Sequence, residues 1–219
     1  MSHAGAALAV LLGLCLLASG AAAQDKSPLT REQALADIKK PDLETRRRAT
    51  AWLGEVGVIA DAPVLIGALS DRDEVVRTLA EHSVWQVWGR SGDTEADGLL
   101  QVGFEVMNRG DGPAAVETFT KAIQRKPDFA EAWNKRATVY FLMGEHEKSL
   151  KDCDEVMKRN PAHFGALAGY GQIYLQLDQP ERALTYFRRA LRVNPNMRGV
   201  QQVIPQLEQL LTERRKGTI

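Results

Sequence analysis

Two cysteines in 219 residues, Cys15 and Cys153, cannot build a disulfide framework. An excess of one charge is missing as well: 28 Lys and Arg stand against 28 Asp and Glu, so no overall field draws the chain to nucleic acid or anionic lipid. Aromatic residues are scarce at 6%, yet hydrophobic residues reach 44%, ample for a folded core and too many for a disordered chain. Common catalytic motifs are absent. The sequence has no paired His spacing of a metalloprotease, no Gly-rich phosphate loop, no Gly-x-Ser-x-Gly elbow and no Cys pair for metal or redox work. His82, His146 and His163 are scattered along the chain, and Cys153 shares an apolar helix face with Val156, the setting of an inert thiol. These absences predict a chain that is not an enzyme and holds no metal or cofactor. Arg46-Arg47-Arg48 and Arg188-Arg189 lie on helices that also carry Glu44 and Glu181. They read as solvated faces, with no nucleic-acid partner implied.

What is present begins with an uncharged run, Ala4 to Ala23, centred on Leu8, Val10, Leu11, Leu12, Leu14, Leu16 and Leu17. Its apolar heart is shorter, and richer in Ala and Gly, than a membrane span of ~20 strongly apolar residues. Residues 1–23 therefore read as an export signal, with Ala21 and Ala23 as the small residues before cleavage and Gln24 as the first mature residue. The stretch before the run lacks Lys and Arg, leaving the terminal amine and His3. Leu12-Gly13-Leu14 before Cys15 places a bulky Leu where a lipoprotein signal has a small residue, which argues against lipidation. The expectation is an exported protein, periplasmic, with no integral membrane span in its mature form.

Further along, the chain repeats every 34 residues. Gly103, Ala137 and Gly171 are one set; Ala115, Ser149 and Ala183, then Phe119, Cys153 and Phe187, then Ala122, Val156 and Ala190 follow the same offset, and Pro127, Pro161 and Pro195 close each unit. The period describes a helix pair. Val102, Gly103 and Val106 share one helical face, and Ala115, Phe119 and Ala122 lie four and three apart on the next. Small residues at Gly103 and Ala115 let two backbones approach, with Phe119 beside them. Gly110 and Asp111-Gly112-Pro113 supply the turn, as Gly144 does in the second unit. Each Pro stops the second helix of its pair. One pair cannot bury its apolar faces alone, so the units must stack.

On these residues the stretch 96–197 resembles three consecutive tetratricopeptide repeats (96–129, 130–163 and 164–197). Trp133, Ala137, Tyr140 and Pro161 match the signature, as do Gly171, Tyr174, Ala183, Phe187, Ala190 and Pro195. Leu99 and Val106 stand where large aromatics are usual, Cys153 where an aromatic is common, and Arg136 at a normally apolar position. A buried guanidinium at Arg136 needs a carboxylate, Asp152 or Asp154, unless its head reaches solvent past its own stem. Residues 198–215, with Val200, Val203, Ile204, Leu207, Leu210 and Leu211 at helical spacing, read as the capping helix such arrays require.

A second period precedes the array. Asp42, Arg46 and Ala49 are matched 31 residues later by Asp73, Arg77 and Ala80, and Leu53 and Val56 by Val84 and Val87. Asp61-Ala62-Pro63 reads as a helix start with Asp61 as cap. Residues 24–92 thus resemble short HEAT-like helix pairs, too few to stand alone and expected to dock on the first tetratricopeptide unit across the short Gly89–Asp93 junction. Trp85 and Trp88 either fill the HEAT-like core or present an aromatic face to the array. The whole is an all-α, right-handed helical-repeat solenoid, similar to exported tetratricopeptide proteins of proteobacteria.

By that resemblance the first helix of each pair lines a concave groove. Its lining includes Leu100, Phe104, Met107 and Asn108, then Asn134, Thr138 and Phe141, then Gln172 and Leu175. Chaperone adaptors of this family grip a terminal carboxylate with Lys, Asn and Arg. The corresponding positions here hold Leu100, Phe104, Lys135, Gly165 and Gly169, so that clamp is absent. The implied function is a non-catalytic adaptor or scaffold that binds a peptide or helix of a protein partner. The alternative is a structural subunit of a cell-envelope assembly docked through the HEAT-like part.

Overall fold

The protein is described by a computed structural model over residues 29–217; the expected export signal lies outside the described residues. Within them every regular element is a helix. The N-terminal segment comprises α1 (Arg31–Asp37), α2 (Leu43–Val56), α3 (Ala62–Ala68) and α4 (Glu74–Trp88). Three helix pairs follow: α5 (Thr94–Asn108) with α6 (Gly112–Arg125), α7 (Ala130–Leu142) with α8 (His146–Arg159), and α9 (Phe164–Gln176) with α10 (Pro180–Val193). The last helix, α11 (Arg198–Arg215), packs on α10 through Leu207 and Leu211. No helix among the described residues is long and apolar enough to cross a membrane.

The 31-residue period of the N-terminal segment has a physical cause. Asp42 and Asp73 cap α2 and α4, their carboxylates accepting the N–H groups of Thr45 and Val76, orphan donors that a helix start must satisfy. Arg46 and Arg77 then turn back to backbone carbonyls at matching places. Arg46 donates to Lys40 and Pro41, Arg77 to Asp71 and Arg72. Ala49 and Ala80 are fully buried. Asp61 stands at the N-cap of α3 with Pro63 in the first turn, as expected, but its side chain makes no capping bond, because its carboxylate is held by the Arg31 guanidinium at 2.6 and 2.7 Å and by the Val58 N–H.

In the array, the small residue and the aromatic are two halves of one contact. A methyl at Gly103 would lie 2.5 Å from the Phe119 ring, and one at Gly171 equally close to Phe187, so the rings occupy the space that only glycine leaves. The second unit reverses both choices, keeping the methyl of Ala137 and shortening the aromatic to Cys153. Burial, with Asp152 and Asp154 nearby, pushes that thiol up to about 12. Arg136 is paired as its position demands: Nε and Nη2 donate to Asp152 at 2.7 and 2.8 Å, and Nη1 to the Thr120 hydroxyl at 2.9 Å. Its guanidinium also lies 4.9 Å from the Trp133 ring centroid. The fork to Asp152 raises the Arg136 pKa, while burial lifts the Asp152 carboxyl against the pull of its partner.

The N-terminal segment does not rest on the first unit as its position in the chain suggests. Instead, α4 crosses to the junction of the second and third units. Trp88 stacks on His163 with centroids 4.2 Å apart, and Trp85 meets Phe164 edge-on at 5.1 Å. At the other end of α4, Asn196 donates to the Leu69 carbonyl at 2.8 Å and accepts from Arg77 at 3.1 Å. Val193 and Met197 of the array complete the N-terminal core. The reason lies at Gly165, where a Cβ would sit 2.4 Å from the Trp85 ring. The recess that admits the tryptophan exists there, whereas α5 presents the side chains of Leu100 and Phe104. Both readings of the tryptophans meet in this structure, since Trp88 is buried in the N-terminal core while it covers the array. Arg90 ties down the junction by donating to the carbonyls of Gly54 and Gly57.

Candidate functional site

The face built by α7, α9 and α11 carries two adjoining depressions. The first, about 110 Å³, is walled by Ala137, Phe141, Cys153, Ala168 and Ile173, with Asn134, Thr138 and Gln172 at its margins. The second, about 470 Å³, lies between Leu175, Met197, Val200 and Val203, with Glu81 of α4 on its opposite side. Ala168 and Gln172 border both. The repeat explains the placement, because residues 34 apart occupy the same face of successive first helices.

Five of the nine residues expected to line a groove come together here: Asn134, Thr138 and Phe141 at the first depression, Leu175 at the second, and Gln172 at both. The first unit behaves differently. Leu100 and Met107 are half-buried against Ala115, Phe119 and Val139, so they serve packing between helices. Asn108 is exposed, and Phe104 is 40% exposed beneath the Lys135 ammonium. Two of the polar groups are also engaged. Asn134 donates its amide to Glu131 at 3.1 Å, and the Thr138 hydroxyl donates to the Asn134 carbonyl at 3.0 Å. Gln172 is exposed and makes no side-chain hydrogen bond among the described residues.

Below this face lies a buried polar cluster. The Glu131 carboxylate is 3% exposed. It accepts from His163 Nε2 at 2.8 Å and from Asn134, and it pairs with Lys135 at 3.0 Å. His163 is the N-cap of α9, its Nδ1 accepting the Ala166 N–H at 3.1 Å. Because Nδ1 accepts there, Nε2 is the nitrogen that donates to Glu131. Burial works to raise the Glu131 pKa, but the hydrogen bond from His163 and the Lys135 charge outweigh it and hold the carboxyl below its ordinary value. Neither Glu131 nor the role of His163 was legible from spacing alone. The available signal was register: His163 occupies the position of Phe129 and Met197, 34 residues either side, and is the polar member of an otherwise apolar set.

Two of the positions that correspond to the carboxylate clamp of chaperone adaptors, Gly165 and Lys135, are occupied here. Trp85 fills the recess at Gly165, and Lys135, the one cation among them, is paired with Glu131. Among the described residues, no group of three or more His, Cys, Asp or Glu side chains is placed to hold a metal ion.

Stacked helix pairs with one apolar face define a helical-repeat solenoid. Residues 128–196, which hold the second and third pairs, match the tetratricopeptide repeat family model. A TPR repeat-containing protein of Rhizobium etli is 34% identical over 128 residues, which span 58% of this chain and 63% of the relative. Hsp70-Hsp90 organizing protein 1 of Glycine max is 26% identical over 51% of this chain and 20% of its own length. The chain thus spans under two thirds of these curated relatives. Among solved structures, the first TPR domain of Spaghetti (RPAP3) bound to the HSP90 peptide SRMEEVD superposes with a TM-score of 0.52 at 22% identity, covering 55% of this chain and 96% of that one. MamA gives a TM-score of 0.52 at 17% identity over 68% of this chain and 89% of its own. At these identities the likeness is one of fold.

Proposed function

We propose that the protein is a non-catalytic adaptor or scaffold, exported to the periplasm, that binds a segment of a partner protein along its concave face. The observation that carries this reading is the pair of adjoining apolar depressions between α7, α9 and α11, bordered by the unengaged amide of Gln172. Concave apolar sites with a few polar groups are where ligands bind. The solved relatives named for a bound HSP90 peptide and for a pHsp70 complex support peptide binding as the use of this fold. The reading of the N-terminal segment as a docking module for an envelope assembly is disfavoured, because its aromatic edge already lies against the array.

The test is photo-crosslinking in intact cells from a residue beside the face. Gln172→Trp fills the border of both depressions from an exposed position; it is expected to leave the melting temperature within a few degrees and to abolish the crosslinked adduct. Phe119, fully buried against Gly103, provides the contrast, since Phe119→Ala should cost about 3–5 kcal/mol. An adduct that survives Gln172→Trp would place binding elsewhere. Export has its own measurement, motivated by the uncharged Ala4–Ala23 run. The mature protein taken from its native envelope should begin at Gln24 on amino-terminal sequencing, and a chain beginning at Met1 or Ser2 would refute export.

A further inference from the structure

The smaller depression is a gap in the repeat, and its origin indicates what fits it. Its walls Ala137, Phe141 and Cys153 correspond to Gly103, Met107 and Phe119 one unit earlier and to Gly171, Leu175 and Phe187 one unit later. In those units a phenylalanine ring packs directly against the glycine. In the second unit the side chain ends at the Cys153 sulfur, and about 110 Å³ stays open between α7, α8 and α9. A methyl at Gly169 would meet only that sulfur, at 3.9 Å, so the space is reached from the concave side. Three of the polar side chains around it are engaged within the fold, Ser149 donating to the Ala137 carbonyl at 2.7 Å, Asn134 to Glu131 and Thr138 to the Asn134 carbonyl, which leaves the Gln172 amide at the rim. Water gains little in such a space, and an apolar side chain gains burial. An apolar cavity of ~150 Å³ accommodates benzene, so this smaller one suits a branched aliphatic side chain better than a ring.

The larger depression adds a charge. Two charged residues border it: Arg198, which is paired with Glu74 at 3.3 Å, and Glu81 of α4, which has no ion-pair or hydrogen-bond partner among the described residues. Arg77, one turn before Glu81, directs its guanidinium to Asn196 and to the carbonyls of Asp71 and Arg72. An unpaired carboxylate beside an apolar floor calls for a cation on whatever lies there. A helix, ~10–12 Å across, would need most of the 470 Å³ for a single turn, so an extended chain is the better fit.

We infer that the concave face takes an extended peptide segment that seats a Val-, Leu- or Ile-sized side chain in the Cys153 cavity and sets a Lys or Arg against Glu81, with the Gln172 amide between them. This rests on the adaptor reading and gives it a partner chemistry: a basic, aliphatic segment, opposite in charge to the acidic tail SRMEEVD bound by the solved relative.

The experiment is selection of random twelve-residue peptides displayed on phage against the immobilised full chain and its variants. The natural sequence should enrich peptides with an aliphatic residue and, a few positions away, Lys or Arg. Glu81→Lys should enrich acidic residues at that second position. Ala137→Gly combined with Cys153→Phe recreates the glycine–phenylalanine pair of the flanking units, so it should keep the melting temperature while weakening the best natural peptide at least about tenfold, the usual penalty for losing an aliphatic pocket. If that double variant does not fold, Gly169→Leu closes the same cavity from its open side and should weaken the peptide equally. Peptides that bind the closed-cavity variants unchanged, or that lack a basic residue and ignore Glu81→Lys, overturn the inference. If such peptides are still lost with Gln172→Trp, the adaptor reading stands without it. If nothing enriches, or Gln172→Trp binds the same peptides equally well, both fall.

Discussion

Trp88→Ala should lower the stability of the chain by about 3–5 kcal/mol, read as a shift of the midpoint in chemical denaturation. The indole is 2% exposed and packs on four partners at once: the imidazole of His163, the ring of Phe164, the edge of Trp85 and the aliphatic core of the N-terminal segment. His163 and Phe164 are fixed side by side at the start of α9 and Trp85 by α4 itself, so little can move inward to fill the space. Trp88→Phe keeps most of the stacking area and should cost markedly less. Trp85→Ala should also cost less, since that ring is half-buried and shares its surroundings with solvent. A loss below about 1 kcal/mol for Trp88→Ala would mean that α4 is not seated on the array in solution.

The second large effect is expected at Glu131. Glu131→Ala removes the acceptor for two buried donors, His163 Nε2 and the Asn134 amide, and the counter-charge of Lys135. Breaking a buried charged network from one side costs about 3–5 kcal/mol, because the groups left behind lose water without gaining a partner. The same residue gives a pH dependence of defined sign. Its folded-state pKa is held below the ordinary value, against burial, by the His163 hydrogen bond and the Lys135 charge. The stabilisation is therefore complete above the unfolded carboxylate pKa of about 4.3 and is lost as pH falls through the folded value. Glu131→Ala should flatten that acid limb relative to the natural chain when melting temperature is followed from neutral to acid pH. Asp61, Asp71 and Asp73 are depressed in the same direction, so some acid sensitivity should persist in the variant. An unchanged acid limb would remove Glu131 from the account.

Much of the array was legible because a 34-residue offset repeats the same contact. The spacing of Gly103, Ala137 and Gly171 marks the close approach of two helices, and Arg136 among apolar equivalents required a carboxylate, which Asp152 supplies. The family resemblance pointed to Asn134, Thr138, Phe141, Gln172 and Leu175, which border the two depressions. Its limit shows at Leu100 and Met107. They hold the same register as Asn134 and Phe141, but Phe119 fills the space beneath them, so they become packing residues. Register assigns a direction to a side chain and cannot state how much room its neighbours leave. The position of α4 was not legible at all. Nothing periodic links Trp88 to His163, 75 residues on; the contact follows from a recess at Gly165 that is recognisable only once the helices are assembled. Asp61 marks the start of α3 as its sequence implied, but its carboxylate is drawn from the capping bond to Arg31 of another helix.

The seat of α4 also changes how the chain must come apart. In an open stack each unit touches only its neighbours, so the ends can fray one pair at a time. Here Leu69, just after α3, and Arg77, in the first turns of α4, are bonded to Asn196, which follows the last pair, while the other end of α4 is stacked on His163. The N-terminal helices and the third pair are thereby joined into a closed circuit. Peeling the terminal pair breaks the N-terminal core, and loosening the N-terminal segment uncovers the third pair. Amide protons at the two ends should therefore exchange as one cooperative unit, in contrast to the graded protection of an unclosed solenoid.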